Sequence, residues 1–596
     1  AGSSGDAAAA RAAKPQCELP GWTLPSELQE TQGGRVGWTE AAADPEDGAV
    51  ALAWPAIPWA TLTQAYGGGS GALTAWAVGD VAVPAAGAYL ASCQGTREFW
   101  VGARKLHGDQ YADGFLKTPV RLAAGPAVFT VRAMGSRTAG FRCRLEPVPA
   151  GAPVAAEAVA GDAVLPDIVG GRLAGGALSI AVRNLDPDVP VTVAASIDSG
   201  NQSWLSGATP GPVELRPGQT RPVTVPVAQT APAACEEGQK AVPVNVTVTV
   251  AAAGQAGPGA GAFDVEVELR CRGEFGRGLH PSYRFTFADF DGSLQYASAI
   301  PPARECASDG AAGGEEPGEG CPLLFSTHGA SVDAASPFWT NVYQQQERAW
   351  TLLPTNRGGF GYDWQGAGLR NAQAAWAALA RDLPGVPEAA KASYGLSGAV
   401  LYSGHSMGGH GCLILATHFP EGELASACTA GWIKAALYPP EFLSPAASLG
   451  DVHLNAVLRA ATGEYDTDFA LPNLRGLPML VRMGAEDEDV PMLNLLRIAR
   501  LKAQLERNDT AGAAVQVSEV PGKPHWWPGV VDDAEMQAFL AAHLYTPVPR
   551  PARFTLRGTN PATLGSRAGL SLLQLRRPYR AGSISVEVDV EGAAGG

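Results

Sequence analysis

A serine bracketed by glycines carries the first chemical signal in this chain: Gly404-His405-Ser406-Met407-Gly408. The residues before it, Val400-Leu401-Tyr402-Ser403, form a short, largely apolar run that suits a buried strand, and 409–419 reads as a helix. Strand, Gly-x-Ser-x-Gly and helix together make a nucleophile elbow, a turn sharp enough to hold the hydroxyl clear of a sheet. Glycine is needed two residues either side, because a Cβ there would collide across the turn. The helix N-terminus supplies unpaired backbone N–H groups to a developing negative charge. The chemistry this serves is attack of an activated hydroxyl on a carbonyl carbon.

Such a serine needs a base, an acid to orient the base, and a second oxyanion donor. Upstream, the apolar run 322–327 ends in His328-Gly329-Ala330. The backbone N–H of Ala330 is expected to join that of Met407 in receiving the oxyanion; in a non-catalytic chain His328 and Gly329 would merely end the strand. Downstream, the apolar run 477–483 opens into Gly484-Ala485-Glu486-Asp487-Glu488-Asp489-Val490-Pro491. Proline suits a first helical turn, so a helix is expected over 491–505, with Asp489 as its N-cap. That leaves Asp487 on the turn as the acid, with Glu486 and Glu488 facing solvent. A strand over 514–520 leads to Pro524-His525-Trp526-Trp527, a loop before a last helix at 532–544. His525 is the expected base. Trp526 and Trp527 wall a substrate pocket, seal the histidine from water, or pack beneath that helix.

These residues imply acyl transfer to water with no metal or organic cofactor. His405, His410 and His418 lack the His-Glu-x-x-His spacing of a metal site and are expected to pack near the elbow or along its helix. Asn356, Arg357, Tyr362, Asp363 and Trp364 follow a strand end, where substrate contacts often lie. Arg357, Tyr362 and Trp364 are therefore candidate substrate-binding residues, with His328, Gly329, His405, Trp526 and Trp527. Arg357 would either hold an acidic group or pair with Asp363.

The order Ser406, Asp487, His525, the Gly-x-x-Asp-x-x-Val-Pro spacing from Gly484, and the run Gly404-His405-Ser406-Met407-Gly408-Gly409-His410-Gly411 carry a resemblance. Over 283–544 the chain resembles the α/β-hydrolase superfamily, in its esterase and prolyl-oligopeptidase branch. The resemblance implies a doubly wound, mostly parallel sheet with helices on both faces, and an esterase or a serine peptidase. It also implies cap helices over 431–462. Strands are expected at 284–287 and 294–299 as an opening hairpin, then at 323, 350–354, 400–403, 424–427, 479–483 and 515–520, with a helix over 369–383. The repeat array that forms a propeller in prolyl oligopeptidases has no counterpart here.

The remainder reads as all-β. Segment 1–20 is small and polar and is expected to be disordered. A jelly-roll-like, PA14-like β-sandwich is expected over 21–150, an Ig-like sandwich over 160–275, the catalytic domain over 280–547, and a β segment over 551–596 with strands at 554–556, 570–575 and 584–590. Proline-rich connectors near 147–154 and 548–551 mark the boundaries. The first sandwich either binds glycan through Trp100 or Tyr111 or buttresses its neighbour.

The 596 residues suit three or four domains of roughly 150 each, and 46% hydrophobic content supports real cores. The formal charge of −15, with no basic stripe, argues against nucleic acid as a partner. No apolar run approaches the ~18 residues of a membrane span. The chain opens at Ala1 without a signal peptide, which suits a processed or a trimmed N-terminus. Of its nine cysteines, Cys93 with Cys143, Cys235 with Cys271, Cys306 with Cys321 and Cys412 with Cys428 fall together in the expected domains, leaving Cys17; sequence alone does not settle connectivity. Sequons at Asn201, Asn245 and Asn508 join the cysteines in favouring a secreted or luminal glycoprotein over a reduced cytosolic chain. A third functional class stays open, a β-rich surface protein whose hydrolase-like part is only a scaffold.

Overall fold

A computed structural model describes residues 23–25, 35–44, 46–55, 59, 73–135, 138–148, 156–159, 161–198, 203–233, 235, 238–252, 261–277, 281–306, 320–435, 438, 451–507, 515–549, 552–577 and 580–587. Segment 1–20, Cys17, Asn201, Asn508, most of the proline-rich connector 147–154 and half of the connector 548–551 lie outside the described residues.

The site rests on an eight-stranded sheet. Its strands are β1 (Tyr283–Ala288), β2 (Leu294–Ile300), β3 (Cys321–Thr327), β4 (Trp350–Pro354), β5 (Leu396–His405), β6 (Glu423–Thr429), β7 (Met479–Gly484) and β8 (Val515–Val520), in the spatial order 1-2-4-3-5-6-7-8. β2 runs antiparallel to both its neighbours, and every pair from β4 to β8 is parallel. A parallel sheet must be covered on both faces, so its central strands read as continuous apolar runs. Every residue of β4, β6 and β7 is accordingly buried. The principal helices are α1 (Pro337–Thr340), α2 (Ala367–Asp382), α3 (Met407–His418), α4 (Val452–Thr462), α5 (Leu493–Leu505) and α6 (Ala534–His543). One core joins α2, α3 and α5 to the sheet; the other joins α1 and α6 to its opposite face. α4 lies in the segment read as a cap, of which 439–450 falls outside the described residues.

Upstream, two four-stranded antiparallel sheets enclose a core that includes Tyr89, Phe99, Phe129 and Val131. A ten-stranded array follows, in which Thr220–Gln229 pairs with Ala177–Asn184 at one end and Leu205–Ala208 at the other. Val244, Val246, Val248 and Val250 are buried at every second position of Ala241–Ala252, the alternation of a strand with one face in a core. Asp167 ties this array to β1. Its covered carboxylate accepts from the guanidiniums of Arg270 at 2.9 Å and Arg272 at 3.0 Å, and from the Arg284 backbone N–H at 2.9 Å.

Four disulfides join Cys93 to Cys143, Cys235 to Cys271, Cys306 to Cys321 and Cys412 to Cys428. Asn245 is exposed on its strand. Among the described residues, no helix is long and apolar enough to cross a membrane.

Two local expectations need correction. Residues 571–575 form no strand; Arg553–Gly558 pairs antiparallel with Gly582–Glu587 instead. This ribbon rests on the helical layer of the eight-stranded sheet, where Asn473 exchanges hydrogen bonds with the backbone of Arg557. The segment 491–505 becomes helical only at Leu493, preceded by Met492, so Asp489 caps nothing.

Candidate active site

Ser406 follows β5 directly and precedes the first residue of α3. Its backbone takes φ 61° and ψ −123°, a conformation that costs a non-glycine residue about 1–3 kcal/mol. The turn is held from both neighbouring strands. The Ser406 N–H donates to Thr429 O on β6 at 3.0 Å, and the Thr327 hydroxyl donates to Gly408 O at 2.6 Å. The flanking glycines are sterically obligatory. A Cβ at Gly404 would stand 2.2 Å from Gly408 O, and one at Gly408 would stand 1.9 Å from Thr327 O. The Cys412–Cys428 disulfide pins α3 to β6 within the same unit.

The loop after β7 carries Asp487, and the loop after β8 carries His525. Asp487 Oδ1 accepts the N–H groups of Asp489 at 3.0 Å and Val490 at 2.9 Å, a local turn that aims Oδ2 outward. Oδ2 accepts from His525 Nδ1 at 2.8 Å, and His525 Nε2 stands 2.8 Å from Ser406 Oγ. With Nδ1 donating to a carboxylate, Nε2 carries the lone pair and accepts a hydrogen bond from the Ser406 hydroxyl. Burial pushes the Asp487 carboxyl up, but hydrogen bonds from His525 and from the Val490 and Asp489 backbone outweigh it and hold the group below its ordinary range. The carboxylate is fully covered, whereas His525 keeps 16% exposure.

His405 lies beneath this line. It is buried, its Nε2 donates to His525 O at 2.8 Å, and its ring centroid is 4.8 Å from that of His525. Burial, helped by the neighbouring His525, pushes its pKa down to about 3, so it is neutral and braces the loop. His410 is likewise buried, and burial pushes its pKa down to about 4; its Nδ1 donates to Trp432 O at 2.8 Å.

Gly329 faces the serine: a Cβ built there would lie 3.3 Å from Ser406 Cβ. His328 is fully buried, with Nδ1 2.8 Å from Gly329 O and Nε2 3.0 Å from Thr355 O. Because a trans peptide points its C=O and following N–H in opposite directions, the Gly329 carbonyl turned to His328 sends the Ala330 N–H away from that ring. Met407, as the first residue of α3, has an N–H without an intrahelical acceptor.

Several residues read as substrate contacts have other work. His328 and His405 are buried under the site and brace its loops. Trp364 is fully buried and donates its indole N–H to His328 O at 3.1 Å. Trp527 is 5% exposed and packs in the core under α6, with the Arg482 guanidinium 5.5 Å from its ring. Arg357 pairs with Asp291 at 2.8 Å and Asp289 at 3.6 Å rather than with Asp363. Asn356 is also buried; its Oδ1 accepts from the N–H groups of Tyr362 and Trp364, both at 3.3 Å, and so shapes the loop. Sequence offers no direct sign of this, since an asparagine after a strand reads as an ordinary turn residue. Tyr362 remains exposed and Trp526 half-buried. In the first sandwich Trp100 is buried against Trp76, which removes it as a glycan platform. Tyr111 is half exposed and stacks at 3.8 Å on Phe360, in the loop beside the site. Phe338, exposed on α1 and packed on Trp526, escaped the sequence reading because its place follows only from the fold.

No family profile matches the chain. A secreted, uncharacterized protein of Arthroderma benhamiae is 27% identical over 310 residues, which cover 51% of this chain and 31% of that protein. The chain thus spans about a third of the curated relative's length. Structural neighbours are esterases and peptidases. An S-formylglutathione hydrolase of Agrobacterium tumefaciens matches at 14% identity and TM-score 0.30, covering 44% of this chain and 94% of the other. Est1E of Butyrivibrio proteoclasticus matches at 15% and TM-score 0.27, covering 44% and 96%. A puromycin-hydrolyzing peptidase of Mycobacterium tuberculosis matches at 14% and TM-score 0.31, covering 71% and 74%.

Proposed function

We propose that this chain is a serine hydrolase that cleaves a carboxylic ester through an acyl-enzyme. The observation that carries the reading is the line from Asp487 Oδ2 through His525 to Ser406 Oγ, 2.8 Å at each step. In it, Ser406 Oγ attacks the ester carbonyl carbon while its proton passes to His525 Nε2. The N–H groups of Met407 and Ala330 receive the oxyanion. The imidazolium, stabilised by Asp487, returns the proton to the departing alcohol. Water then attacks the acyl-serine with His525 again as base, releasing the acid and restoring Ser406. Gly329, Tyr362 and Trp526 border the space where the substrate sits.

The domain division given above, with β-sandwiches over 21–150 and 160–275 and a catalytic unit over 280–547, belongs to this reading. So does an extracellular location, which four disulfides and a relative named as secreted support. Two measurements test the function. A fluorophosphonate probe is expected to label Ser406. A panel of short acyl esters, glycan-borne esters and matched amides is expected to show ester turnover. Labelling without ester turnover but with amide cleavage would turn the reading to a peptidase; no adduct on Ser406 would leave a non-catalytic scaffold.

A further inference from the structure

Two adjacent aromatic pairs border the site, and in each one ring turns inward and the other outward. In α1, Trp339 is fully buried while Phe338 is 53% exposed. In the loop after β8, Trp527 is 5% exposed while Trp526 is half-buried. The inward rings both fill the core on the α1 and α6 face, so that core accounts for them. The outward rings meet each other, with the Phe338 centroid 5.0 Å from that of Trp526 and the planes 37° apart. Trp526 in turn lies 5.0 Å edge-on from His405, and His405 lies 4.8 Å from His525. A row of rings therefore runs from a surface phenyl group to the imidazole that holds Ser406 Oγ. A large apolar side chain left half in water has given up most of what burial would gain it. Trp526 also leans on the core through Trp339, 6.4 Å away, but the phenyl group of Phe338 stays outside it, on the outer side of the residue that follows His525.

We infer that Phe338 and Trp526 form a subsite for a planar aromatic group of the ester, borne on its acyl or its alcohol half. The inference rests on the hydrolase reading and names its substrate class. A flat ring packs against the phenyl and indole in offset or edge-on geometry, which a puckered saturated ring of equal size cannot reproduce. Phe338 acts in specificity, and His525 and Ser406 carry the chemistry.

The test compares full-length wild type, Phe338→Ala and Phe338→Leu on two substrate pairs: phenyl against cyclohexyl acetate, and methyl benzoate against methyl cyclohexanecarboxylate. Within each pair the aromatic-to-saturated ratio of kcat/KM is normalised to wild type, which cancels intrinsic reactivity. Phe338→Ala is expected to lower that ratio about tenfold in one pair, mainly through KM, and Phe338→Leu to lower it by a smaller factor. The pair that responds tells which half of the ester the subsite holds. Ratios unchanged within about twofold in both pairs, with Ser406 still labelled by fluorophosphonate in every variant, would overturn the subsite and leave the hydrolase intact. Absence of labelling in wild type would overturn both.

Discussion

His525 Nε2 and Ser406 Oγ lie 119 residues apart in the chain and 2.8 Å apart in space. Removing either end of that contact isolates what it contributes. Ser406→Ala is expected to reduce kcat by about 10⁴–10⁶, with a melting temperature within about 3 °C of wild type. Ester turnover near the wild-type rate in the variant would exclude this serine as nucleophile.

Asp487 has two tasks that separate by substitution. One oxygen holds His525, and the other holds the backbone of Asp489 and Val490. Asp487→Asn keeps an oxygen for the turn but loses the carboxylate, so kcat should drop about 10⁴-fold with stability nearly kept. Asp487→Ala should lose as much activity and melt lower as well, because two N–H groups lose their acceptor. Equal melting temperatures for the two variants would contradict the structural task, and a loss below about tenfold in Asp487→Asn would contradict the orienting one.

Gly408 tests the elbow itself. With a Cβ 1.9 Å from Thr327 O, Gly408→Ala forces the start of α3 away from the end of β3. The expected result is loss of soluble protein, or destabilisation by more than about 3 kcal/mol in denaturant titration. A variant with wild-type midpoint and activity would show that the turn is looser than described.

Stability should fall on both sides of neutrality. Burial lowers the pKa of His328, His405, His410 and His418 below the ordinary 6.5, to about 3 for His405 and about 4 for His410. The unfolded chain then binds more protons, so this stability is full above pH 6.5 and is lost as pH drops toward 4. Glu423 works in reverse: burial raises it from 4.5 to about 8, so its contribution is full below pH 4.5 and is lost as pH rises through 8. Melting temperature measured from pH 4 to pH 9 should be highest between these limbs, and Glu423→Gln should flatten the alkaline one. An unchanged alkaline limb in that variant would remove Glu423 as its cause.

Peptide mapping under non-reducing conditions should recover the pairs Cys93–Cys143, Cys235–Cys271, Cys306–Cys321 and Cys412–Cys428. Replacing both Cys412 and Cys428 by alanine should cost about 2–4 kcal/mol. Any other linkage of Cys412 would show that α3 and β6 are not joined as described.

What sequence determined by itself is local. Short apolar runs, glycines at obligatory spacing and acids or histidines just past strand ends are written within a few neighbouring residues, because strand burial and turn sterics act over that range. The places of Ser406, Asp487 and His525 just past strand ends were each legible in this way, as were β1 through β8 and the approximate span of α3. Tertiary structure decided which side chains meet. Arg357 prefers Asp291 over Asp363 because the β1–β2 hairpin comes alongside its loop. Trp364 and Trp527 face the core, and Phe338 faces out beside Trp526, for reasons set by helices packed on the sheet. A motif states which groups stand beside one another along the chain; only packing across the sheet states which face shared space, and burial, pairing and access to substrate all follow from that.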